Sequence, residues 1–332
     1  MNIAILGTGR IAQALRFYYT QNSIFPPVVT ILEGENDIAR ADLVIGTLPG
    51  GLGENSLQAA LTYKKDLIDL ADMDVDYYLK QKRDIAAAGI LVIPACGFCP
   101  GLVNFIIGNE AARSPNLGAV DVSAGSLSTK KNFFPFLWCF EDMMLEFLGP
   151  SVQIIERQRR EYPPFAGYRE ESIYGIPSES YLSQSGFENL ADHLNADRFT
   201  YRNIRPLGFK YFFRYLHNHG FLKEAHIQRT KEIMEERFED NMSIAEIALS
   251  SDNRLQNWRI KSFSHKKEPL NSMQKITALF PIAMIHLLVG SKIRNKGLLF
   301  CEEIGLNNEV FNETIEFLRK KGVSISRISA DR

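Results

Sequence analysis

Apolar residues over the first hundred positions fall into short runs separated by helical patterns. Ile3 to Leu6 is one such run; Gly7, Thr8 and Gly9 follow it, and then Ile11, Ala12, Leu15 and Tyr18 recur on one helical face. This spacing predicts a strand, a tight glycine turn and a helix. Val28 to Leu32, Leu43 to Pro49 and Asp66 to Ala71 read as further buried parallel strands. Ile90 to Pro94 reads as another, after a helical stretch from about Val75 to Ala88. Strands alternating with helices predict a doubly wound parallel sheet.

The glycine turn has the chemistry of a dinucleotide site. Gly7 allows the sharp turn, Gly9 lets a pyrophosphate reach bare backbone, and Ala12 stands where a small residue lets helix pack on strand. The N-terminus of the following helix faces the anion with unpaired N–H groups and the positive end of its dipole. One connection is short: nine residues separate Glu33 from Leu43, where a full dinucleotide fold inserts a helix, a strand and a turn. Fully extended, they reach roughly 30 Å, against about 20 Å needed to cross to the new strand. The expectation is a trimmed Rossmann sheet lacking the usual third strand and its helix. Glu33, 24 residues beyond Gly9, stands near where an acid binds the ribose hydroxyls, which leans the cofactor slightly to NAD over NADP. A solvated loop acid beside Glu35 and Asp37 is the equal alternative.

After Asn104 the pattern changes. A helix to about Ala112 is followed by "AVDVSAGSL", an aromatic-rich stretch "NFFPFLWCFEDMMLEFLG", and mixed segments up to Phe221. They predict an α+β domain with an open mixed sheet. An apolar helix returns from Ser272 to Gly290, then come "GLLFCEEI", a helix over Asn308 to Lys321, and "GVSISRI". The expected division is residues 1–114 with 272–290 for the nucleotide-binding domain, and 115–271 with 291–332 for a substrate and dimerisation domain.

Composition narrows the function. A chain of 332 residues, 45% apolar, can bury two ordinary cores, and a formal net charge of −1 gives no field to draw it to nucleic acid or an anionic membrane. No targeting segment precedes the first strand, and "ITALFPIAMIHLLVG", interrupted by Pro281 and His286, reads as too short to span a bilayer. A soluble, cytoplasmic protein acting on a small molecule is expected. Cysteines at 96, 99, 139 and 301 make no disulfide framework. His217 and His219 form a helix-end surface pair rather than a metal site, so no metal is expected.

The motifs "ILGTGRIA", "IDLA", "AAGILVIPACGFCPGLVN", "YRNIRPLGF" and "ITALFPIAMIHLLVGSKIRNKGLLFCEEI" together resemble the saccharopine dehydrogenase family, which includes lysine 6-dehydrogenases and carboxynorspermidine dehydrogenases. The likeness spans most of the chain, and Gly-Phe-x-Pro-Gly after an apolar strand is its most specific element. It implies a Rossmann domain joined to an α+β domain, often in homodimers, with substrate between the domains. It also implies hydride transfer between NAD or NADP and the carbon of a C–N bond in an amino-acid or polyamine derivative.

By the resemblance, Gly7, Thr8, Gly9, Arg10 and Ile11 match the phosphate loop. Thr47, Leu48 and Pro49 match the segment beside the nicotinamide ribose, and Asp69 matches the acid at a strand end. Cys96, Gly97, Phe98 and Asn104 stand where substrate meets the last strand, and Arg205 offers a bidentate fork for a substrate carboxylate, with an ion pair between domains as its alternative. Lysine dehydrogenases carry a histidine where this chain has Phe209, which removes one proton carrier. Asp69, Tyr201 and Tyr174 are the candidates for managing the proton.

Two rival readings remain. The segment "ERFEDNMSIAEIALSSDNRLQNWRIKSF" could form a DNA-binding helix-turn-helix or strands of a mixed sheet, and the mixed acids and bases before it favour the sheet. The shortened cofactor domain and Phe209 also fit a protein that kept the dehydrogenase fold as a nucleotide-binding or regulatory module without turnover. Cys96 and Cys99 come too late in the chain for a thioredoxin-type dithiol and lack a second ligand pair for zinc, since Cys139 and Cys301 stand alone in sequence.

Overall fold

The computed structural model describes the whole chain except residues 22–23, 33–36, 72, 115–116, 138, 185–189, 191–193, 195, 237–238, 252–253 and 332. The first half runs β1 (Asn2–Leu6), α1 (Arg10–Thr20), β2 (Thr30–Ile31), β3 (Leu43–Gly46), α2 (Gly53–Tyr63), β4 (Asp66–Asp69), α3 (Val75–Lys80), α4 (Lys82–Ala88), β5 (Leu91–Ile93) and α5 (Leu102–Arg113). Next come β6 (Leu117–Ser128), α6 (Phe140–Leu148), β7 (Ser151–Ile155), β8 (Gln158–Tyr162), β9 (Arg169–Ile173), β10 (Ile176–Leu182), β11 (Arg198–Pro206), α7 (Phe209–Asn218) and α8 (Glu224–Glu236). The chain ends with β12 (Asn241–Ser251), β13 (Arg254–Ser264), α9 (Ser272–Val289), β14 (Gly297–Leu298), α10 (Cys301–Gly305), α11 (Asn308–Lys320) and β15 (Ser324–Asp331).

The chain divides into two compact units, residues 1–116, 186–194 and 276–322 in the first and 117–185, 195–275 and 323–332 in the second. The first holds a parallel sheet in the order β14-β5-β4-β3-β1-β2. The trimmed sheet is as expected: among the described residues no strand lies beyond β2, and a short 3-10 turn, Asp37–Arg40, leads into β3. β2 itself is two residues rather than the five expected, following Pro26 and Pro27, which have no N–H for a ladder. Val44, Leu57, Leu67, Tyr78, Ile85 and Val92 form one core cluster between sheet and helices. The single helix expected over Val75–Ala88 is two, meeting at Gln81.

Residues 291–322 group with the first unit and 272–275 with the second, where the sequence suggested the reverse. β14 extends the parallel sheet beside β5, and Asn109 on α5 donates to the Gly305 carbonyl at 2.9 Å, so the late segment completes this sheet and its helical layer. The apolar helix α9 forms where the sequence placed it; although its apolar stretch read as too short for a bilayer, the whole 18 residues meet the length and composition of a membrane span, but 67% of that window is buried inside the protein, as in a core helix.

The second unit is built on a mixed sheet in the order β15-β13-β12-β6-β11-β10-β9, with β7 and β8 attached through β11. β6 runs parallel to β11 and antiparallel to β12. The helix-turn-helix alternative falls here, because the segment forms the antiparallel pair β12 and β13, with Ile244 opposite Lys261. Helices α6 and α7 enclose a dense aromatic cluster with Phe136, Phe140, Phe147, Phe165, Tyr181, Phe209 and Phe213.

Candidate functional site

Four strands of the first unit end together at their carboxyl edge, where open parallel sheets bind ligands. At the end of β1, Gly7 has φ +120°, and a Cβ there would collide with Thr47 Oγ1. Thr47, after β3, donates its hydroxyl to the Leu6 carbonyl at 2.7 Å, so the turn after β1 and the segment after β3 are locked together. Gly9 differs. It is the N-cap of α1 with φ −68°, no side chain caps this end, and an added Cβ would meet nothing within 4 Å. The fold does not require glycine at this position, whereas an anion seated on the first turn of α1, at the backbone of Arg10 and Ile11, would. Thr8 accepts a hydrogen bond from Gln13 Nε2 at 3.1 Å, which steadies the loop. Leu48 and Pro49 follow Thr47, and Pro49 opens the short 3-10 turn Gly50–Leu52 ahead of α2. Glu33 lies outside the described residues.

Asp69, the last residue of β4, is fully buried. Its Oδ1 accepts from the Ala71 amide at 3.0 Å and its Oδ2 from the Tyr78 hydroxyl at 2.8 Å. A Cβ at Gly46 would stand 2.5 Å from Oδ1, so the bare backbone of β3 makes room for this carboxylate. Burial pushes the carboxyl up to about 6, against the hydrogen bonds from Ala71, Tyr78 and Leu70 that favour the charged form.

The Asp69 carbonyl accepts from the Cys96 amide at 2.8 Å, which sets Cys96 beside Asp69 at the next strand end. From here Gly97 to Gly101 form a closed loop. Leu102 donates to the Gly97 carbonyl at 3.0 Å and Val103 to that of Phe98 at 3.1 Å, while Gly101 donates to Asn104 Oδ1 at 3.0 Å. Gly101 has φ +127°, and a Cβ there would strike the Gly97 carbonyl. Asn104 therefore caps α5, and Phe98 is buried. A cavity of about 10 Å³ beside them, lined by Pro94, Ala95, Asn104, Cys301 and Glu302 among others, has room for no more than a water. Cys301, solitary in sequence, adjoins Cys96: the two buried thiols hydrogen bond, and this contact, then burial, holds the Cys301 thiol well above its ordinary pKa.

The remaining candidates lie in the second unit. Arg205, on β11, is fully buried among rings, its guanidinium carbon 5.1 Å from the Phe147 centroid and 5.3 Å from that of Phe209. Burial lowers its pKa, and Tyr181 and Glu146 act in the opposite sense. Glu146 in turn accepts from Ser183 Oγ at 2.9 Å and from Asn203 Nδ2; burial raises its pKa, opposed first by the Arg205 charge. The guanidinium expected to bind a substrate carboxylate thus faces the protein's own carboxylate in a closed interior. Tyr201 is buried on the same strand, its amide donating to Gln153 Oε1 at 2.7 Å. Tyr174, in the turn between β9 and β10, is half exposed with Lys261 Nζ 4.8 Å from its ring centroid. These two tyrosines lie on different elements.

Sequence reasoning brought Gly7, Thr47, Asp69 and Cys96 to one sheet edge, and the structure has them there. It missed Tyr78, Glu146 and Cys301, whose roles arise from packing between segments. Among the described residues no cluster of three or more histidine, cysteine or carboxylate side chains could hold a metal ion.

No family model matches the chain, and no curated protein does. Among solved structures, it is similar to apo histidine-tagged saccharopine dehydrogenase (L-Glu forming) from Saccharomyces cerevisiae, with a TM-score of 0.76 and 14% identity over 99% of each chain. An engineered D-amino acid dehydrogenase bound to NADP+ matches at a TM-score of 0.45 and 11% identity, over 95% of this chain and 98% of that one. An amine dehydrogenase from Mycobacterium smegmatis matches at 0.43 and 8%, over 91% and 95%. The first of these likenesses shows that the chain has the saccharopine dehydrogenase fold.

Proposed function

We infer that the protein is an NAD(P)-dependent oxidoreductase that moves a hydride between the nicotinamide and the C–N carbon of an amino-acid or polyamine derivative. The observation that carries this is Gly9, a glycine at the mouth of α1 for which nothing in the protein itself provides a reason. Gly7, Thr8, Gly9, Arg10 and Ile11 would hold the diphosphate, and Thr47 to Pro49 the nicotinamide ribose. When bound, the cofactor supplies the hydride acceptor or donor. At the same edge Asp69 has a carboxyl raised to about 6, whose Oδ2 accepts from the Tyr78 hydroxyl, and it would exchange the proton of the reaction. We propose a cytoplasmic homodimer acting in amino-acid metabolism, with NAD preferred over NADP.

A second reading, nucleotide binding without turnover, draws support from the two-residue β2 and the complete burial of Asp69. Calorimetric titration with NAD, NADH, NADP and NADPH tests the first step, followed by assay of saccharopine, lysine and carboxynorspermidine at the nicotinamide absorbance band. Failure to bind all four rejects both readings, and binding without oxidation of any substrate in this class selects the second.

A further inference from the structure

Two glycines let the first turn of α2 press onto the end of β4. A Cβ at Gly53 would stand 2.8 Å from the Ala71 methyl, and one at Gly46 would stand 2.5 Å from Asp69 Oδ1. That second point is also 2.7 Å from Ser56 Oγ. Ser56 follows Gly53 by three residues on the buried face of α2, with Leu57 and Ala60. Its hydroxyl and the Asp69 carboxyl therefore converge over the bare backbone at the end of β3.

Ser56 is fully buried, and among the described residues its Oγ has no hydrogen-bond partner. A serine inside a helix ordinarily bonds back to a carbonyl of the preceding turn, and a buried hydroxyl left unpaired costs stability. Asp69 supplies the reason for this one. Its Oδ1 accepts from the Ala71 amide and its Oδ2 from the Tyr78 hydroxyl, so both oxygens are met by donors. That setting suits the carboxylate, whereas the acid form carries an O–H of its own and needs an acceptor. Ser56 Oγ is an acceptor with no other bond to make there. The titratable residues bonded to Asp69 are Tyr78 on α3 and Cys96 after β5, the latter through its amide. Among the described residues no ionised side chain acts on the carboxyl, so uncharged neighbours and burial set its balance between acid and carboxylate.

We propose that Ser56 is a positioning residue for Asp69, its Oγ accepting the hydrogen bond of the acid's O–H and holding the protonated carboxyl in one orientation at the sheet edge. The use of that proton in turnover rests on the dehydrogenase reading; the hydrogen bond does not. The full-length protein is therefore tested first without cofactor or substrate. Its aspartates are isotope-labelled at the carboxyl carbon and titrated by NMR, with Asp69→Asn identifying the Asp69 signal. Ser56→Ala removes only an oxygen that bonds nothing here, and thermal melts confirm that the variant is folded. In it the Asp69 carboxyl is expected to titrate about one pH unit lower, a tenfold stronger acid, because the acid form has lost its acceptor. The C=O stretch of the protonated Asp69, read by infrared spectroscopy at low pH, should move to higher frequency in the same variant. An unchanged titration point overturns the proposal, as for a serine with a structural role alone. A higher one also overturns it, since Ser56 would then donate to the carboxylate. In turnover, the limb of the pH–rate profile set by Asp69 should fall with the NMR titration. A shift seen by NMR and absent from the rate profile would keep the role of Ser56 and remove Asp69 from the proton transfer.

Discussion

The Tyr78 hydroxyl donates to Oδ2 of Asp69 at 2.8 Å inside a fully buried pocket at the end of β4. The hydrogen bond favours the carboxylate while burial favours the acid, and burial is the larger effect, which places the titration at about 6 rather than 3.8. Because the folded state holds this proton more tightly than the unfolded chain, the contribution of Asp69 to stability is best below about pH 4. It falls as pH rises to about 6 and is flat above, a change on the order of 3 kcal/mol. Asp69→Asn keeps the hydrogen bond from the Ala71 amide on its carbonyl oxygen and reverses the Tyr78 contact, with Nδ2 donating to the tyrosine oxygen. It should abolish that slope and leave Tm at pH 7 unchanged or higher, while turnover drops by about 10² or more. Melting curves from pH 4 to 8 check the first part and nicotinamide absorbance the second.

Tyr78→Phe removes a donor that stabilises the charged form. The Asp69 carboxyl should then titrate at higher pH, and the acid limb of the pH–rate profile should move the same way. Leaving Oδ2 without this donor should also cost about 1–3 kcal/mol in urea unfolding at neutral pH. An unmoved acid limb in a protein destabilised by that amount would assign Tyr78 a structural role alone.

Much of this edge was legible in the sequence because it depends on short-range geometry. Gly7 and Gly9 follow directly on β1, and Gly97 to Gly101 follow β5, so turn chemistry and apolar runs place them. The nine residues between Glu33 and Leu43 likewise set a length that no third strand and helix could meet. Tyr78, Glu146 and Cys301 gave no such signal. Tyr78 reaches Asp69 because α3 folds back over the sheet, and Cys301 reaches Cys96 through a chain return of some two hundred residues. Arg205 was legible only in part: the motif pointed to the side chain, but its surroundings are set by the interior of the second unit.

The opposite charges of Arg205 and Glu146, buried in one interior, predict a large, non-additive response. Glu146→Ala leaves a buried guanidinium uncompensated and should cost about 3–5 kcal/mol in chemical unfolding. Replacing both residues by leucine should cost clearly less than the sum of the single changes. Arg205→Lys separates structure from recognition: an unchanged melting temperature with a raised KM would return Arg205 to the substrate, whereas a lowered melting temperature with an unchanged KM fits the closed pair.

Thiol reactivity follows burial and pKa. Cys99 is partly exposed, Cys139 is held up to about 12 chiefly by burial, and Cys96 and Cys301 are buried together. Titration with a thiol-reactive disulfide at pH 8 should therefore show Cys99 reacting first, Cys139 slowly, and the remaining pair only on unfolding. Rapid modification of Cys96 in native protein, mapped by mass spectrometry, would contradict the closed packing at the end of β5.

Gly101 and Gly9 offer the sharpest contrast, since the same substitution should read out fold at one and ligand at the other. At Gly101 alanine meets both a disfavoured backbone, φ +127°, and the Gly97 carbonyl, so the loop that starts α5 cannot close without moving. Gly101→Ala should destabilise by about 3 kcal/mol or more, visible as a lower melting temperature. At Gly9 the backbone is one that alanine adopts freely and no atom stands within 4 Å of the new methyl. Gly9→Ala should therefore melt with the wild type yet bind NADH at least about tenfold more weakly, because the methyl occupies the surface on which the diphosphate must lie. Equal NADH affinity in a stable Gly9→Ala protein would remove the principal support for a dinucleotide at α1.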